Sequence, residues 1–158
     1  MKIFTIGAYG KSEDEFFNSI IENGITYFFD IRQRRGVRGS KYKFVNSKYL
    51  QSKLSELGVQ YFHIKDLAPT TEIRQIQKKQ DSVTNTIKRE RQLLSNEFCS
   101  TYNQLILNNH QFKKEITEIN NGETVVFFCV EAEPLACHRS LVTEKLNKLN
   151  SSLEVVHL

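Results

Sequence analysis

The sequence predicts a single α/β domain, residues 1–158, built on a mainly parallel open sheet of about five strands flanked by helices. Short runs of β-branched and aromatic residues recur along the chain, and segments with helical periodicity separate most of them. Parallel neighbours need a crossover about as long as a helix, so this alternation favours parallel pairing. No internal repeat or Pro/Gly-rich linker divides the 158 residues.

The first strand is predicted at residues 2–6, and Gly7-Ala8-Tyr9-Gly10 then forms a tight turn. Ser12 followed by Glu15 is a capping-box pattern, which predicts a helix that begins there and ends near Gly24.

The second strand is predicted at residues 25–31 and the third at residues 59–64. Between them, a helix should begin at Asn46 or Ser47 and end at Gly58.

Residues 71–119 are polar and contain no glycine, so we interpret them as a mostly helical insertion before the fourth strand. Their mixed-charge stretch, residues 78–92, is predicted to be a solvated helix. The fourth strand is predicted at residues 125–129, a helix over 141–149, and a short fifth strand at 153–157.

Parallel strands end at one shared edge, where open α/β sheets bind ligands. That edge should bring together four segments: the turn at 7–10, Asp30 with the loop that follows it, the His63-to-Asp66 segment, and the loop at 129–139.

Charge and cysteine content limit the partners and the compartment. Three cysteines, no apolar leader and no bilayer-spanning run predict a cytoplasmic protein without a membrane partner. The net charge is only +4, but residues 32–43 concentrate cations without any acid. This density favours nucleic acid or nucleotide as the partner, with a solvated basic loop as the alternative. The candidate phosphate-binding cations are Arg32, Arg34, Arg35, Arg38, Lys41 and Lys43.

Four motifs resemble a bacterial family known as domain of unknown function 488. They are T-I-G at 5–7, D-I-R at 30–32, L-x-x-x-G-V-Q-Y-F-H at 54–63 and C-V-E-x-x-P-x-x-C-H-R at 129–139. The chain departs from the commoner pattern at Ala8-Tyr9, where His-Ser often stands, and it lacks the usual proline after D-I-R. The resemblance implies an architecture and a motif, but no reaction.

The last motif offers thiols. Cys137, near the start of the last helix, should have a lowered pKa because the helix dipole and nearby cations favour a thiolate. Simple packing of Cys129 and Cys137 is an equally good interpretation. Zinc bound by Cys129, Cys137 and His138 is disfavoured because the gap lacks the close cysteine pair of structural sites, so we expect no metal and no cofactor.

The same edge offers carboxylates. The candidate catalytic residues are Asp30 and Glu131, as general bases, together with His138 and Arg139, which would bind an anion. The alternatives are a structural ion pair of Asp30 with Arg32 or Arg139, and a capping role for His138.

These observations predict an enzyme that acts on nucleic acid or nucleotide, by base excision or hydrolysis of a modified base with carboxylate-activated water. Tyr9, Tyr42 and Phe44 would stack a base. A rhodanese-like or other thiol-dependent enzyme that uses Cys129 or Cys137 is the first alternative, although the acids after Cys129 replace the compact run of N–H donors typical of rhodanese. A non-catalytic nucleic-acid-binding module is the second.

Overall fold

The computed structural model describes residues 1–158 and contains one five-stranded sheet in the order β3-β2-β4-β1-β5. Every neighbouring pair is parallel, which confirms the predicted fold class. The strands are β1 (Lys2–Ile6), β2 (Tyr27–Asp30), β3 (Gln60–His63), β4 (Val125–Phe128) and β5 (Glu154–His157).

Helices cover both faces of this sheet. They are α1 (Glu13–Glu22), α2 (Ser47–Glu56), α3 (Thr71–Val83), α4 (Asn96–Tyr102), α5 (Lys113–Asn120) and α6 (His138–Leu149). On one face, Phe16 of α1 packs edge-on against Phe28 and Phe128. On the other face, Arg139 of α6 reaches Thr5, and Lys114 of α5 lies 3.5 Å from the ring centre of Phe62. No helix is long and apolar enough to cross a membrane.

The start of α1 follows the predicted capping box. The backbone N–H of Glu15 donates to Ser12 Oγ, and the backbone N–H of Ser12 donates to the Glu15 carboxylate. These bonds satisfy two N–H groups that have no partner within the helix.

The insertion is less helical than expected. Helix α3 ends at Val83, and the rest of the mixed-charge stretch is irregular apart from one 3-10 turn at Lys88–Glu90. Asn85 is left-handed, with φ of 52°, a conformation that asparagine tolerates and that ends a helix. The prediction of one solvated helix over 78–92 is therefore wrong beyond Val83.

Strand β4 lies at the centre of the sheet, between β1 and β2, and all four of its residues are buried. Helix α6 returns from β4 along one face, whereas α1 leaves β1 along the other. Neighbouring strands whose crossovers take opposite faces leave a crevice at their carboxyl ends. The loop that follows β4 lies in this crevice.

Candidate functional site

A cleft of about 700 Å³ opens at the carboxyl edge of the sheet. The loop after β2, the insertion and the loop after β4 all line it. Its walls carry two acids, Asp81 and Glu131, against eight cations: Arg32, Arg34, Arg38, Arg74, Lys78, Lys88, Arg89 and Arg91. Such an excess of positive charge attracts anions.

The loop after β4 is held by the fully buried Arg139. Its Nη1 donates to the Glu131 carbonyl at 2.6 Å, and its Nη2 donates to the Ala132 carbonyl at 2.9 Å. Gly7 completes the fit, because a Cβ there would lie 2.1 Å from the Glu131 carbonyl oxygen. Arg139 does not line the cleft, so the structure makes it a positioning residue instead of the anion-binding group we had expected.

Asp30 ends β2 and is completely buried. Its carboxylate accepts hydrogen bonds from Arg32 Nε at 2.9 Å and Nη2 at 2.7 Å, from the Arg32 backbone, and from the Tyr61 hydroxyl at 2.8 Å. The Arg32 guanidinium also stacks on Phe128, and its buried Nη1 has no partner. Of the two ion pairs that the sequence left open for Asp30, the structure contains the one with Arg32. Arg32 and Tyr61 occupy the carboxylate of Asp30, which makes it a poor general base.

The surroundings of Tyr61 raise the pKa of its hydroxyl. Burial raises the pKa of Tyr61 to about 12, helped by the negative charge of Asp30 and partly opposed by the hydrogen bond from Arg35. His63, on the same strand, hydrogen-bonds the Arg32 carbonyl at 2.7 Å. The β3 end therefore supports the Asp30–Arg32 pair, and the cleft lining does not include it.

Glu131 lines the cleft, and its carboxylate contacts two of the cleft cations. One carboxylate oxygen lies 3.1 Å from Lys88 Nζ and 4.0 Å from Arg91 Nη2. Lys88 is half exposed, so this ion pair is weakly held. Glu131 is thus the candidate carboxylate that the cleft leaves available to a ligand.

Cys129, Cys137 and His138 form a buried cluster in which one ligand atom of each lies within 4.8 Å of the others. Burial raises the pKa of Cys137, but the hydrogen bond from Cys129 and the charge and backbone N–H of Arg139 outweigh burial and lower it to about 7. Donation to Cys137 raises the pKa of Cys129, and burial adds to this. Cys137 is also the N-cap residue of α6, which agrees with its predicted place near the start of that helix.

His138 is fixed from both sides. Its Nε2 lies 3.0 Å from the Ile31 carbonyl, and its Nδ1 lies 3.8 Å from Cys137 Sγ. The ring also packs edge-on against Tyr102. The imidazole therefore lies between the Ile31 carbonyl and the Cys137 thiol.

The family assignment covers most of the chain. The family model described as "Domain of unknown function DUF488" matches residues 12–146. The chain belongs to this family. No curated protein and no solved structure matches the chain significantly. The matched span includes the Asp30–Arg32 pair and the whole cysteine loop, whereas Gly7 precedes it.

The structure divides the cations of residues 32–43 among several places. Arg34 and Arg38 line the cleft, whereas Arg32 is the buried partner of Asp30. Arg35 hydrogen-bonds the Tyr61 hydroxyl at 3.5 Å. Two further cations, Lys41 and Lys43, line a separate, smaller pocket beside the start of α1. The six cations therefore do not form one patch.

Five cations of the cleft come from the insertion and were missed. They are Arg74, Lys78, Lys88, Arg89 and Arg91. The spacing of Arg74 and Lys78 is four residues, which places them on one face of a helix and was the available signal. Acids interspersed through the segment obscured that signal.

The two tyrosines differ in accessibility. Tyr9 lines the cleft, with the Arg89 guanidinium 4.7 Å from its ring centre. Tyr42 is buried behind it, with its ring 5.0 Å from Tyr9 and its hydroxyl bonded to the Gly10 N–H. Phe44 lies in the core. Of the three expected stacking residues, only Tyr9 is placed to meet a base.

Proposed function

We propose that this protein is an enzyme that acts on nucleic acid or nucleotide, held through phosphate in the basic cleft, with Glu131 as the base that activates water. The carrying observation is the lining of the cleft, in which eight cations surround a volume of about 700 Å³ that also contains Glu131. This volume lies in the range that small ligands occupy, about 300–1,000 Å³. One nucleotide, free or turned out of a strand, suits it.

Phosphate binding rests on cations without acidic partners. Arg32, Lys88 and Arg91 each have an acid within ion-pair distance, whereas Arg34, Arg38, Arg74, Lys78 and Arg89 have none. Unpaired guanidinium groups favour phosphate because they donate two parallel hydrogen bonds. Tyr9, with Arg89 against its ring, offers a flat surface for a base.

The hydrolytic assignment rests on the difference between the two carboxylates. Asp30 is engaged by Arg32 and Tyr61, whereas Glu131 faces the cleft beside a half-exposed lysine. A general base needs an oxygen that can reach the proton it removes. Glu131 meets that condition, and base excision or hydrolysis of a modified base is the reaction class that we assign to it.

Binding is tested by fluorescence anisotropy with labelled single-stranded DNA and RNA and with free nucleotides, each titrated at several salt concentrations. We expect affinity to fall steeply with salt, and replacement of Arg34, Arg38 and Arg74 by alanine to reduce the slope by roughly 0.7 per lost contact on single strands. Lys41→Ala with Lys43→Ala is the matched control, because these lysines lie outside the cleft. Salt-independent binding, or an equal effect of the control, contradicts the proposal.

Catalysis is tested with oligonucleotides that contain modified bases, by following base release with mass spectrometry. Glu131→Gln should preserve binding and abolish release, with Glu133→Gln, an exposed neighbour outside the cleft lining, as control. Binding without release by the unaltered protein would favour the non-catalytic binding module.

A cysteine-dependent reaction is the second candidate, favoured because Cys137 occupies the N-cap position of α6 and lines the cleft. Rapid alkylation of Cys137 by iodoacetamide in the purified protein, with loss of turnover, would support it. Slow alkylation with intact turnover would exclude it.

A further inference from the structure

We propose that Cys129, Cys137 and His138 bind one zinc ion, with a fourth coordination position open to the cleft. Their ligand atoms all lie within 4.8 Å of one another and all three residues are buried. Zinc bonds of about 2.3 Å to sulfur and about 2.0 Å to nitrogen separate tetrahedral ligands by roughly 3.5–3.8 Å. The distance of 3.8 Å between Cys137 Sγ and His138 Nδ1 already meets this condition.

The histidine is prepared for a metal by its second contact. A carbonyl oxygen only accepts hydrogen bonds, so the proton of the neutral ring lies on Nε2, which faces the Ile31 carbonyl at 3.0 Å. Nδ1 then presents its lone pair towards the thiols. Metal-binding histidines almost always donate their other N–H in this way, which fixes the tautomer and the ring orientation.

The fold supplies the proximity that the sequence spacing lacks. Cys129 directly follows the central strand β4, and Cys137 is the N-cap of α6. Arg139 binds the carbonyls of the intervening loop, so both thiols are held at the same place before a metal arrives. A site assembled in this way does not need the close cysteine pair of structural zinc motifs.

The number and exposure of the ligands indicate the kind of site. Cys129, Cys137 and His138 all line the cleft, so the uncoordinated side of the ion faces it. Three protein ligands with one open position are typical of zinc sites that bind water or substrate, whereas structural sites have four protein ligands. Participation of this zinc in hydrolysis rests on the proposed function, but zinc binding itself does not.

The test uses the full chain, freed of metal with a chelator under reducing conditions and then titrated with Zn²⁺ or with Co²⁺ as a coloured substitute. We expect one ion per chain by mass spectrometry under native conditions, and a thiolate-to-cobalt charge-transfer band. Cys129→Ser, Cys137→Ser and His138→Gln should each lose stoichiometric binding and weaken or shift the band. Cys99→Ser is the matched control, because this third cysteine lies on α4 outside the cluster.

A measurement without variants keeps the proposal testable where a serine variant fails to fold. Iodoacetamide modification of the unaltered protein is followed by mass spectrometry with and without Zn²⁺, because Cys129 and Cys137 are already buried without a metal. Zn²⁺ should slow modification of Cys129 and Cys137 and leave the rate at Cys99 unchanged. Absence of zinc binding by the folded protein, the same effect of Zn²⁺ on the modification rates of all three cysteines, or loss of binding in Cys99→Ser would overturn the inference.

The two proposals fail separately. Zinc binding is measured without nucleic acid, and oligonucleotide binding is measured on the metal-free chain. A chain that binds zinc but shows no salt-dependent oligonucleotide binding keeps this inference and loses the proposed function. The opposite result loses only the zinc site.

Discussion

Asp30 and Glu131 both follow buried strands and reach the same edge of the sheet, yet their surroundings differ. Asp30 accepts four hydrogen bonds from Arg32 and Tyr61, whereas Glu131 has an ion pair with the half-exposed Lys88 at 3.1 Å and a longer one with Arg91 at 4.0 Å. Their burial is almost the same, at 0% and 4% exposed. The number of donors that a carboxylate already has therefore separates a structural acid from a candidate reactive acid better than its burial does.

Among these substitutions, Asp30→Asn should reduce the free energy of unfolding most. It leaves the Arg32 guanidinium buried without a counter-charge, and loss of one partner of a buried pair costs about 3–5 kcal/mol. Urea unfolding of the variant and of the unaltered protein measures the difference. A loss below about 1 kcal/mol would show that Asp30 is not structural.

Arg139→Lys tests whether the hydrogen bonds from Arg139 to the backbone carbonyls of Glu131 and Ala132 stabilise the fold. Lysine keeps the charge but loses the two-pronged contact with the carbonyls of Glu131 and Ala132, so we expect a loss of about 2–3 kcal/mol. Thermal unfolding measures it, with Arg34→Lys, an exposed arginine, as control. Equal effects of the two substitutions would show that the contacts of Arg139 with these carbonyls do not stabilise the fold.

Tyr61→Phe removes one hydrogen-bond donor from the Asp30 carboxylate and leaves Arg32 in place. We expect a loss of about 1 kcal/mol near neutral pH. Because the folded pKa of Tyr61, about 12, exceeds the unfolded value near 10, its contribution is complete below pH 10 and disappears as pH rises towards 12.

Stability against pH, measured by urea unfolding for both proteins, checks the sign of this linkage. The difference between the unaltered protein and Tyr61→Phe should shrink above pH 10. A difference that grew with pH would contradict the assignment.

Glu131→Gln should have the smallest effect on stability, below about 1 kcal/mol, because its nearer partner Lys88 is 53% exposed, and its other partner Arg91 is 4.0 Å away and keeps its ion pair with Asp81. Paired with Asp30→Asn in the same urea series, it compares two isosteric amide substitutions at one sheet edge. A loss as large as that of Asp30→Asn would make Glu131 a structural acid too and remove the main support for its catalytic role.

Much of the architecture was predictable because it depends on local patterns. The capping box at Ser12, the five strands and the helix after Cys137 follow from short-range chemistry and hydrophobic periodicity. The end of α3 was missed because charge in a surface segment says little about its conformation, whereas the left-handed Asn85 ends the helix.

The site was less predictable because its contacts join distant segments. Donation from His138 to the Ile31 carbonyl and the contact of the Glu131 carbonyl with Gly7 have no local signature. The charge of the cleft was hard to predict for the same reason. Of the cleft cations that have no acidic partner, the acid-free loop supplies two, Arg34 and Arg38, whereas the insertion supplies three, Arg74, Lys78 and Arg89.

The central position of β4 has a consequence for how the molecule is made. Strands β1 and β2 never touch each other, because each pairs with β4, which is formed from residues 125–128. Until these residues have left the ribosome, β2 can pair with β3 but β1 has no partner, because its other neighbour, β5, lies still later in the chain. The cleft, Glu131 and the cysteine cluster therefore form together only after β4 has been made, and a chain truncated before Val125 should have no site at all.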